Sequence, residues 1–391
     1  MKRLLSEIWR RECAFLFKRN PSRAFFVWVY PFIIMGLLLA VFWGKSLTQI
    51  PLAVADESQG VCSRELLRAL RAGQFLDVSL FSSFSSAKNA LLSGRAYGVL
   101  LIDADYDKNL LKRSGAQVSA WINNEYLLVG GNLNKGIAGT VGAINAQYQR
   151  RNLAGLGIPD ALQPAAAEPI QISENVLYNP SVNYIYFLGL GLLPAVLQLF
   201  ICLSVCYSFL WDIKTSRAKR MRSAFLKYPY GAAGVKAGLY FLSYFTVMFI
   251  LLGILIKGFA VPFQGSFLRV CAGMASFVFL TLSTALFISG ATNNLRLAMS
   301  VCACYSAPAF AYYGVSFPVN SMPVLARIWA EFMPGTHLNR IFINELLRGA
   351  NAGGTWGEIA FMMILGTLLF CLGAKGYTRW VKEDKYLGPK L

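Results

Sequence analysis

The chain has 391 residues, of which 56% are hydrophobic and only 14% are charged, and its formal net charge is +18. Soluble globular proteins have about 45–50% apolar and about 25% charged residues, so the composition excludes an ordinary soluble protein and favours an integral membrane protein. The Lys and Arg residues flank apolar segments, as membrane topology requires, and this argues against a nucleic-acid-binding protein.

Residues 1–23 predict a cytoplasmic amphipathic helix that lies on the membrane interface. Its apolar residues recur at helical spacing with basic residues between them, and they are Leu4, Leu5, Ile8, Trp9, Phe15 and Leu16. A helix with this pattern lies in the plane of the interface. The alternative is a solvated basic tail, but that would leave Trp9 and Phe15 exposed to water.

Six apolar runs predict transmembrane helices. The first occupies 24–44, which is long enough to cross a bilayer core of about 30 Å. It is too long for the apolar core of a signal peptide, and no A-x-A cleavage site follows it. The other five predicted spans are 184–211, 239–256, 270–290, 297–317 and 359–374.

Basic residues orient these spans. They concentrate in residues 1–23, in the connection 212–236 and in the C-terminal tail from Lys375 onwards. The positive-inside rule places all three segments in the cytoplasm, so six spans leave both termini inside. The connections 45–181 and 317–350 are then expected outside. The predicted fold is an α-helical integral membrane protein with six transmembrane helices.

Residues 45–181 predict an extracytoplasmic α/β domain inserted between spans 1 and 2, and residues 182–391 carry the other five spans. The insert has twelve Lys or Arg and eleven Asp or Glu residues, and long loops are exported regardless of charge. Its short β-like runs alternate with helical ones, as in α/β layer domains. The predicted strands are 51–56, 75–81, 97–102 and 118–123, and a helix over 132–153 and an Ala/Pro linker over 156–169 follow them.

Two acidic groups in this domain follow predicted strands. They are Asp56 with Glu57, and Asp103 with Asp105 and Asp107. Aspartate commonly caps a helix at such positions, and no His or Cys partner accompanies either group, so we expect helix caps rather than metal binding or catalysis. Cys62 is the only cysteine in the domain, and no intramolecular disulfide framework is expected there.

The cytoplasmic connection 212–236 is long enough to hold a short helix over 215–227 that protrudes below the membrane. A soluble partner could push such a helix. The alternative is a charged connector that only orients the spans.

The connection 317–350 predicts a hairpin of two short helices. Pro318 ends span 5, since proline cannot continue a helix, and Ser321 is placed to cap an amphipathic helix that Pro334 and Gly335 break. Thr336 is placed to cap a second helix, which Gly349 ends. The polar sides of the two helices are assigned to Arg327, Glu331, Arg340, Glu345 and Arg348.

Neither of these helices is long enough to cross a bilayer, and irregular backbone at membrane depth must be covered by protein or water. We therefore expect the hairpin to dip into the outer leaflet between spans 5 and 6 and to shape the outer mouth of a pathway. His337 is interpreted as a hydrogen-bonding residue at a helix start rather than as a titrating group.

The run GVSFPVNSMPVLARIWAEFMPGTHLNRIFINELLRGA, residues 314–350, resembles the end of an ABC-2 type permease, where span 5 is followed by F-P, M-P, P-x-T-H and a helix ending in R/K-G-A. The runs IPLAVADES, LLSGRAYGVLLI and LYNPSVNY resemble the subclass with a large extracytoplasmic domain between spans 1 and 2. The resemblance covers essentially the whole chain.

This resemblance implies a permease subunit of an ATP-driven exporter in the bacterial inner membrane, with its large domain on the periplasmic side. It implies a second permease chain, identical or different, and two ATP-binding subunits, and some members of the subclass work with a periplasmic adaptor protein. The chain has no G-x-x-x-x-G-K-[ST] loop, so ATP and Mg are expected on the partner subunits. This chain is expected to bind no cofactor and no metal and not to be an enzyme.

The chain departs from the family after span 2. Family members carry an acidic E-R-E-x-G-T-x-E run there, but this chain reads WDIKTSRAKRM, in which Asp212 is the only acid. The difference suggests the hypothesis of a heterodimer whose partner permease carries the usual motif.

Two sets of residues are predicted to carry the mechanism. The set that couples the chain to the ATPases is Trp9, Arg10, Asp212, Thr215, Arg217, Arg220, Pro229 and Lys236. The outer gate is Pro318, Met322, Pro323, Trp329, Pro334, Thr336, His337 and Arg340. Closure of the ATPases would push the first set and tilt the spans, and the gate would open outward. Small residues would permit close, sliding helix contacts at Gly189, Gly191, Gly253 and Gly290.

The predicted spans contain almost no ionisable residues, which disfavours an ion-coupled transporter. The expected cargo is a hydrophobic or amphipathic molecule, such as a lipid, a drug or a peptide-like compound. The alternative is a non-transporting anchor or receptor whose extracytoplasmic domain binds a partner protein. A membrane enzyme is disfavoured, because the sequence offers no catalytic cluster and only one histidine.

Overall fold

A computed structural model describes residues 2–18, 21–42, 49–112, 115–123, 127–155, 179, 183–215, 217–349 and 352–383. The predicted linker over 156–169 and most of the LYNPSVNY run lie outside these residues. The chain divides into two compact units. The larger comprises Met1–Lys45 and Tyr178–Leu391, and the smaller comprises Ser46–Leu177.

The N-terminal segment of the larger unit is helical, as predicted. Helix α1 is Lys2–Cys13, and a π-helical turn, Ala14–Lys18, continues it. Helices α2, Pro21–Trp28, and α3, Tyr30–Val41, together form the first candidate span. The span begins three residues before the predicted start because proline is favoured in the first turn of a helix.

The smaller unit contains all four predicted strands and a long helix over the predicted one. In chain order its elements are β1 Ile50–Asp56, α4 Val61–Ala72, β2 Leu76–Phe81, α5 Phe84–Leu92, β3 Gly98–Ile102, α6 Tyr106–Leu111, β4 Val118–Ile122 and α7 Leu127–Gly155. The strand order in the sheet is β2-β1-β3-β4. Strand β1 pairs in parallel with β2 and β3, and β4 is antiparallel to β3.

Both faces of this sheet are covered, because successive side chains of a strand point to opposite faces. Leu52 and Val54 of β1 belong to the apolar core that also holds side chains of α4 and α7. Ala53 and Ala55 belong to the core that holds side chains of α5. This two-sided burial explains why β1 reads as a nearly continuous apolar run.

Of the carboxylates that follow the strands, Asp107 caps a helix, whereas Asp105, which precedes α6, makes no side-chain capping bond. Asp107 accepts hydrogen bonds from the backbone N–H groups of Cys62 (2.8 Å) and Ser63 (3.1 Å), and so caps the start of α4 rather than its own helix. Asp56 accepts from the Ser63 hydroxyl at 2.8 Å and from two backbone N–H groups that follow it. Within the described residues, no cluster of three or more His, Cys, Asp or Glu side chains could hold a metal ion.

The rest of the larger unit is helical. A π-helical turn, Ile185–Gly189, leads into α8 Leu190–Lys214, and then follow α9 Arg222–Lys227, α10 Pro229–Gly258, α11 Phe267–Ala291, α12 Leu295–Ser306, α13 Ala309–Tyr312, α14 Val324–Glu331, α15 Pro334–Phe342 and α16 Ala352–Lys382. Among the described residues, five helical segments are long and apolar enough to cross a membrane. They are Pro21–Val41, Ile185–Lys214, Pro229–Gly258, Phe267–Ala291 and Gly353–Lys382.

The predicted fifth span, 297–317, is not one continuous helix. Helix α12 ends at Ser306, and the short α13 begins after Pro308. Proline has no N–H to donate to the carbonyl four residues earlier, so the helical ladder is interrupted at this point. The prediction that Pro318 ends a long helix is therefore wrong, because Pro308 interrupts that helix first.

Glycines set the distance between α11 and α16. A Cβ atom on Gly290 would lie 2.5 Å from the Gly373 carbonyl oxygen, and a Cβ atom on Gly376 would lie 2.6 Å from the Gly290 carbonyl oxygen. The close contact predicted at Gly290 is present. Gly253 was expected to make such a contact as well, but nothing lies within 4 Å of its added Cβ.

Replacing Gly290 by alanine should push α11 and α16 apart and lower the free energy of unfolding by about 1–3 kcal/mol, the usual cost of overpacking. Gly357→Ala is the matched control, because its Cβ would meet nothing within 4 Å. Unfolding of the two purified variants in detergent measures the difference. Equal stability of Gly290→Ala and Gly357→Ala would contradict the tight contact.

Candidate functional site

Helix α1 packs along the membrane bundle through one apolar face. Ile8, Phe15 and Leu16 are at most 2% exposed, Trp9 is half-buried, and Arg10 points to solvent. The spacing of the three buried residues is the helical periodicity that predicted an amphipathic helix. The inner side of α1 is thus held by protein, and Arg10 lies on its opposite side.

Three charged side chains fasten α1 to two spans. Lys236 Nζ of α10 lies 2.6 Å from Asp212 Oδ2 of α8 and 2.9 Å from Glu12 Oε2 of α1. All three side chains are at most 1% exposed. Glu12 also accepts hydrogen bonds from the hydroxyls of Ser208 and Tyr240. We call Glu12, Asp212 and Lys236 the buried ion cluster.

The carboxylate of Glu12 is stabilised by these partners. Burial by itself raises the pKa of Glu12, but the charge of Lys236 and the hydrogen bonds from Ser208, Lys236 and Tyr240 outweigh it and hold the pKa below its ordinary value. A buried lysine between two carboxylates therefore joins α1, α8 and α10 as a charged unit.

The predicted coupling residues Asp212 and Lys236 do not lie on the surface of the bundle. Both side chains are buried and paired with each other, so neither can be presented to another chain. Glu12 was missed because the segment around it is basic. Its position four residues after Ile8 places it on the buried face of α1, and that spacing could have revealed it.

The connection after α8 does not protrude as one helix over 215–227. A 3-10 turn, Arg217–Met221, precedes the short helix α9. Ala218, Met221 and Phe225 are at most 3% exposed, because these apolar residues pack into the core of the bundle. The connection therefore packs against the helical bundle and does not protrude from it.

The remaining residues of the predicted coupling set lie around this surface. The Thr215 hydroxyl donates to the Trp211 carbonyl, Pro229 starts α10, and Arg217 lies 3.5 Å from Asp212 Oδ1. The side chain of Arg220 lies outside the described residues. The described exposed side chains here include Arg10, Lys214, Thr215 and Lys219.

The predicted outer gate forms two short helices, but their ends differ from the prediction. Ser321 lies in a 3-10 turn, and Pro323 rather than Ser321 precedes the first residue of α14. Pro334 does not break a helix but opens α15, since proline fits the first helical position. Thr336 lies inside α15, where its hydroxyl is 3.4 Å from the Tyr312 carbonyl.

Helix α14 is the exposed half of this hairpin. Its apolar residues include Leu325, which is 82% exposed, and Trp329, which is 42% exposed. The gate residues that precede it are Pro318, which is exposed, and Met322, which is 7% exposed. This apolar face suits contact with lipid or with another chain.

Helix α15 is the buried half. Gly335 approaches the Tyr313 ring so closely that an added Cβ atom would overlap the ring. The Tyr313 hydroxyl donates to Gln198 of α8 at 2.7 Å, and Asn339 donates to the Tyr313 carbonyl at 3.2 Å. Side chains of α15 and α8 thus bond the chain where the predicted fifth span is broken.

His337 connects α14, α15 and α16, and it is 1% exposed. Its Nε2 bonds the Glu331 carbonyl at 2.8 Å, and its Nδ1 bonds the Glu358 carboxylate. A carbonyl only accepts, so Nε2 carries a proton, and the bond to Glu358 needs a second proton on Nδ1 or on the carboxyl group. Arg340 bonds both Glu331 and Glu358.

Glu345 was assigned to the polar side of the hairpin, but its side chain is fully buried. It bonds Arg269 Nε at 2.6 Å, the Ser266 N–H at 2.9 Å and the Thr355 hydroxyl at 2.7 Å. Burial raises the pKa of Glu345, but these bonds, that of Arg269 foremost, outweigh it and lower the pKa below its ordinary value. The π-helical turn Ile343–Arg348 carries this carboxylate, and Gly349 ends the turn with a left-handed backbone, as predicted.

A family model described as ABC-2 family transporter protein matches residues 23–375. This range runs from α2 into α16 and includes the smaller unit. No curated protein matches the chain.

Replacing Lys236 by methionine should lower the free energy of unfolding by about 3–5 kcal/mol, because Glu12 and Asp212 would remain buried without a counter-charge. Lys257→Met is the control, since Lys257 lies on the same helix and is exposed. Denaturant unfolding in detergent compares the two variants. A loss no larger for Lys236→Met than for Lys257→Met would show that the ion cluster adds nothing to the fold.

The stability contributed by Glu345 should depend on pH. Because its pKa is lowered in the folded chain, the contribution is present above the ordinary pKa of about 4.3 and is lost as the pH falls through the lower folded value. The Tm of Glu345→Gln should lie below that of the parent at neutral pH, and the gap should narrow in acid. Glu7→Gln, at an exposed carboxylate, should leave the Tm nearly unchanged at neutral pH. A gap that is constant down to acid pH would contradict the assignment.

Proposed function

We propose, because the chain belongs to the ABC-2 family of transporter proteins, that it is the membrane-spanning permease subunit of an ATP-driven exporter. The family match carries this proposal, since it extends over both units of the chain. Separate ATP-binding subunits hydrolyse the ATP, because the sequence has no phosphate-binding loop.

The proposed topology keeps both termini in the cytoplasm of a bacterial cell, with the chain in the inner membrane. Helix α1, the connection after α8 and the C-terminal tail are basic and lie inside under the positive-inside rule. The α/β unit and the hairpin of α14 and α15 lie on the periplasmic side. The broken segment α12–α13 serves as the sixth crossing.

The bonding around the break supports this sixth crossing. Carbonyls freed inside a membrane must be satisfied by protein or water. Asn339 donates to the Tyr313 carbonyl, and the Thr336 hydroxyl lies 3.4 Å from the Tyr312 carbonyl. Side chains of α15 therefore cover backbone groups that a continuous helix would have paired internally.

The proposed coupling runs through α1. The buried ion cluster ties this helix to α8 and α10, so a displacement of α1 is transmitted to two spans rather than absorbed by a flexible tail. The ATPase subunits contact the exposed basic side chains Arg10, Lys214 and Lys219 with an acidic surface. The movement of the spans then opens the hairpin of α14 and α15 outward.

The proposed assembly contains two ATPase subunits and a second permease chain, with a periplasmic adaptor as a further partner. Asp212 is the only acid in the run where the family has several. Its carboxylate is already paired with Lys236 and Arg217. This supports a heterodimer in which the other permease presents the acidic run to the ATPases. The cargo is an amphipathic or hydrophobic molecule.

The test uses the complex with its ATPases in proteoliposomes. The chain should co-purify with ATPase subunits and support ATP-dependent efflux of an amphiphile. The double variant Arg10→Glu and Lys214→Glu should weaken ATPase binding about tenfold or more by placing like charges together. Lys257→Glu is the control, because α10 carries Lys257 at the end remote from Lys236.

A chain that binds no ATPase would contradict the proposal. So would a complex that no amphiphile stimulates while the α/β unit binds a protein tightly, since that result would favour an anchor or receptor.

A further inference from the structure

We propose that a cavity beside Arg23 binds one single-chain amphiphile with a negatively charged headgroup. The binding site is argued from its own geometry. Only the further claim that the bound amphiphile is the exported cargo rests on the proposed function.

The cavity lies near the ends of the helices that adjoin α1. Its volume is 430 Å³, within the range of about 300–1,000 Å³ that holds one small ligand. Its walls come from α2, α8, α10, α12 and the turn after α1, at Arg23, Leu203, Tyr240, Met299 and Leu16. Four membrane segments and the interface helix thus meet around one space.

Among the described residues that line this cavity, Arg23 is the charged one. Its Nη2 donates to the Tyr207 hydroxyl at 2.9 Å, and its guanidinium carbon lies 3.7 Å from the centre of the Phe15 ring and 4.4 Å from that of Tyr207. Its Nη1 is buried and has no hydrogen-bond partner in the part of the chain that the structure describes. No carboxylate there forms an ion pair with Arg23.

The Arg23 side chain as a whole is half-buried, but a buried Nη1 without a hydrogen-bond partner or counter-ion is costly, and a ligand that supplied an anion would lower that cost. Arg217 lies on the same Phe15 ring, also at 3.7 Å, but Asp212 already pairs with it. Lys236 and Arg217 are taken up by Glu12 and Asp212. Among the described residues, Arg23 is a cation of this site that no carboxylate pairs with.

The chemistry of the ligand follows from these contacts. Arginine bonds carboxylate and phosphate oxygens well because its N–H groups form a planar fork. Beyond the headgroup, Phe26, Val27, Leu203 and Met299 offer an apolar wall for a hydrocarbon chain, and methionine adapts to chains of different shape. A cation is excluded by Arg23. The volume suits a single chain better than a two-chain phospholipid.

The experiment measures binding of radiolabelled palmitate and of methyl palmitate to the full chain in detergent. The two probes have the same hydrocarbon chain and differ in charge. The parent should bind palmitate about tenfold or more tightly than the ester, as a charged hydrogen bond implies. Arg23→Gln should remove this preference and leave ester binding unchanged, and Arg23→Lys should keep part of it.

Two further variants serve as controls. Lys227→Gln removes an exposed cation that does not line the cavity, and it should leave the preference intact. Met299→Trp should fill the cavity and weaken the binding of both palmitate and methyl palmitate. Thermal unfolding confirms that each variant is folded before its binding is interpreted.

Equal binding of acid and ester by the parent, or an undiminished preference in Arg23→Gln, would overturn the inference. Competition with phosphatidylglycerol separates the two sources of an anionic headgroup. If only single-chain competitors displace palmitate, the result supports a site for one single-chain amphiphile. If the phospholipid displaces palmitate more strongly, the single-chain assignment is wrong. If the chain binds palmitate but the complex exports no amphiphile with ATP, only the proposed function is contradicted. If the complex exports another cargo but the chain binds no palmitate, only this inference is contradicted.

Discussion

The rest of the bundle depends on one interaction, the buried ion pairing of Lys236 with Glu12 and Asp212. In a bilayer, lipid chains are as apolar as leucine, so apolar burial alone says little about which helices belong together. A buried charge does specify its partner, because leaving the charge unpaired costs several kcal/mol. The three side chains therefore specify that α1 docks against α8 and α10, with Lys236 Nζ within 2.9 Å of both carboxylates. An interface helix that would otherwise rest on lipid becomes part of the bundle.

The far end of the bundle is specified in the same way. His337 and Arg340 bond Glu358 of α16, and Glu345 bonds Arg269 of α11. Helices α11 and α16 meet through small residues at Gly290 and Gly373, near the end of α11. Charged groups thus hold the two ends, and this glycine contact sets the spacing of α11 and α16. This division suits a transporter, since close glycine contacts permit sliding while polar contacts keep the partners in register.

Much of the fold was predictable from the sequence. The four strands of the smaller unit follow from alternation and turn residues, and α1 follows from the spacing of Ile8, Phe15 and Leu16. The break at Pro308 was missed because a hydropathy average does not respond to one proline in an apolar run. The ends of α14 and α15 were misjudged because Pro334 both breaks and starts helices, and only the tertiary context decides between these effects.

The candidate site was less predictable, because pairing between distant residues leaves no mark in a single sequence. Asp212 and Lys236 were predicted to take part in coupling, but the sequence did not reveal that the two side chains pair with each other at 2.6 Å. Glu345 was read as a polar surface residue because its three partners come from Ser266, Arg269 and Thr355, far away in the sequence.

The central claim is that the buried ion cluster transmits the movement of the ATPases to the spans. The most direct measurement compares ATP hydrolysis and efflux in one reconstituted preparation of Glu12→Gln, a change that keeps the shape of the side chain and removes its charge. The account predicts that ATPase subunits still bind and hydrolyse ATP while efflux per ATP falls. Unchanged efflux per ATP in a folded Glu12→Gln complex would contradict it.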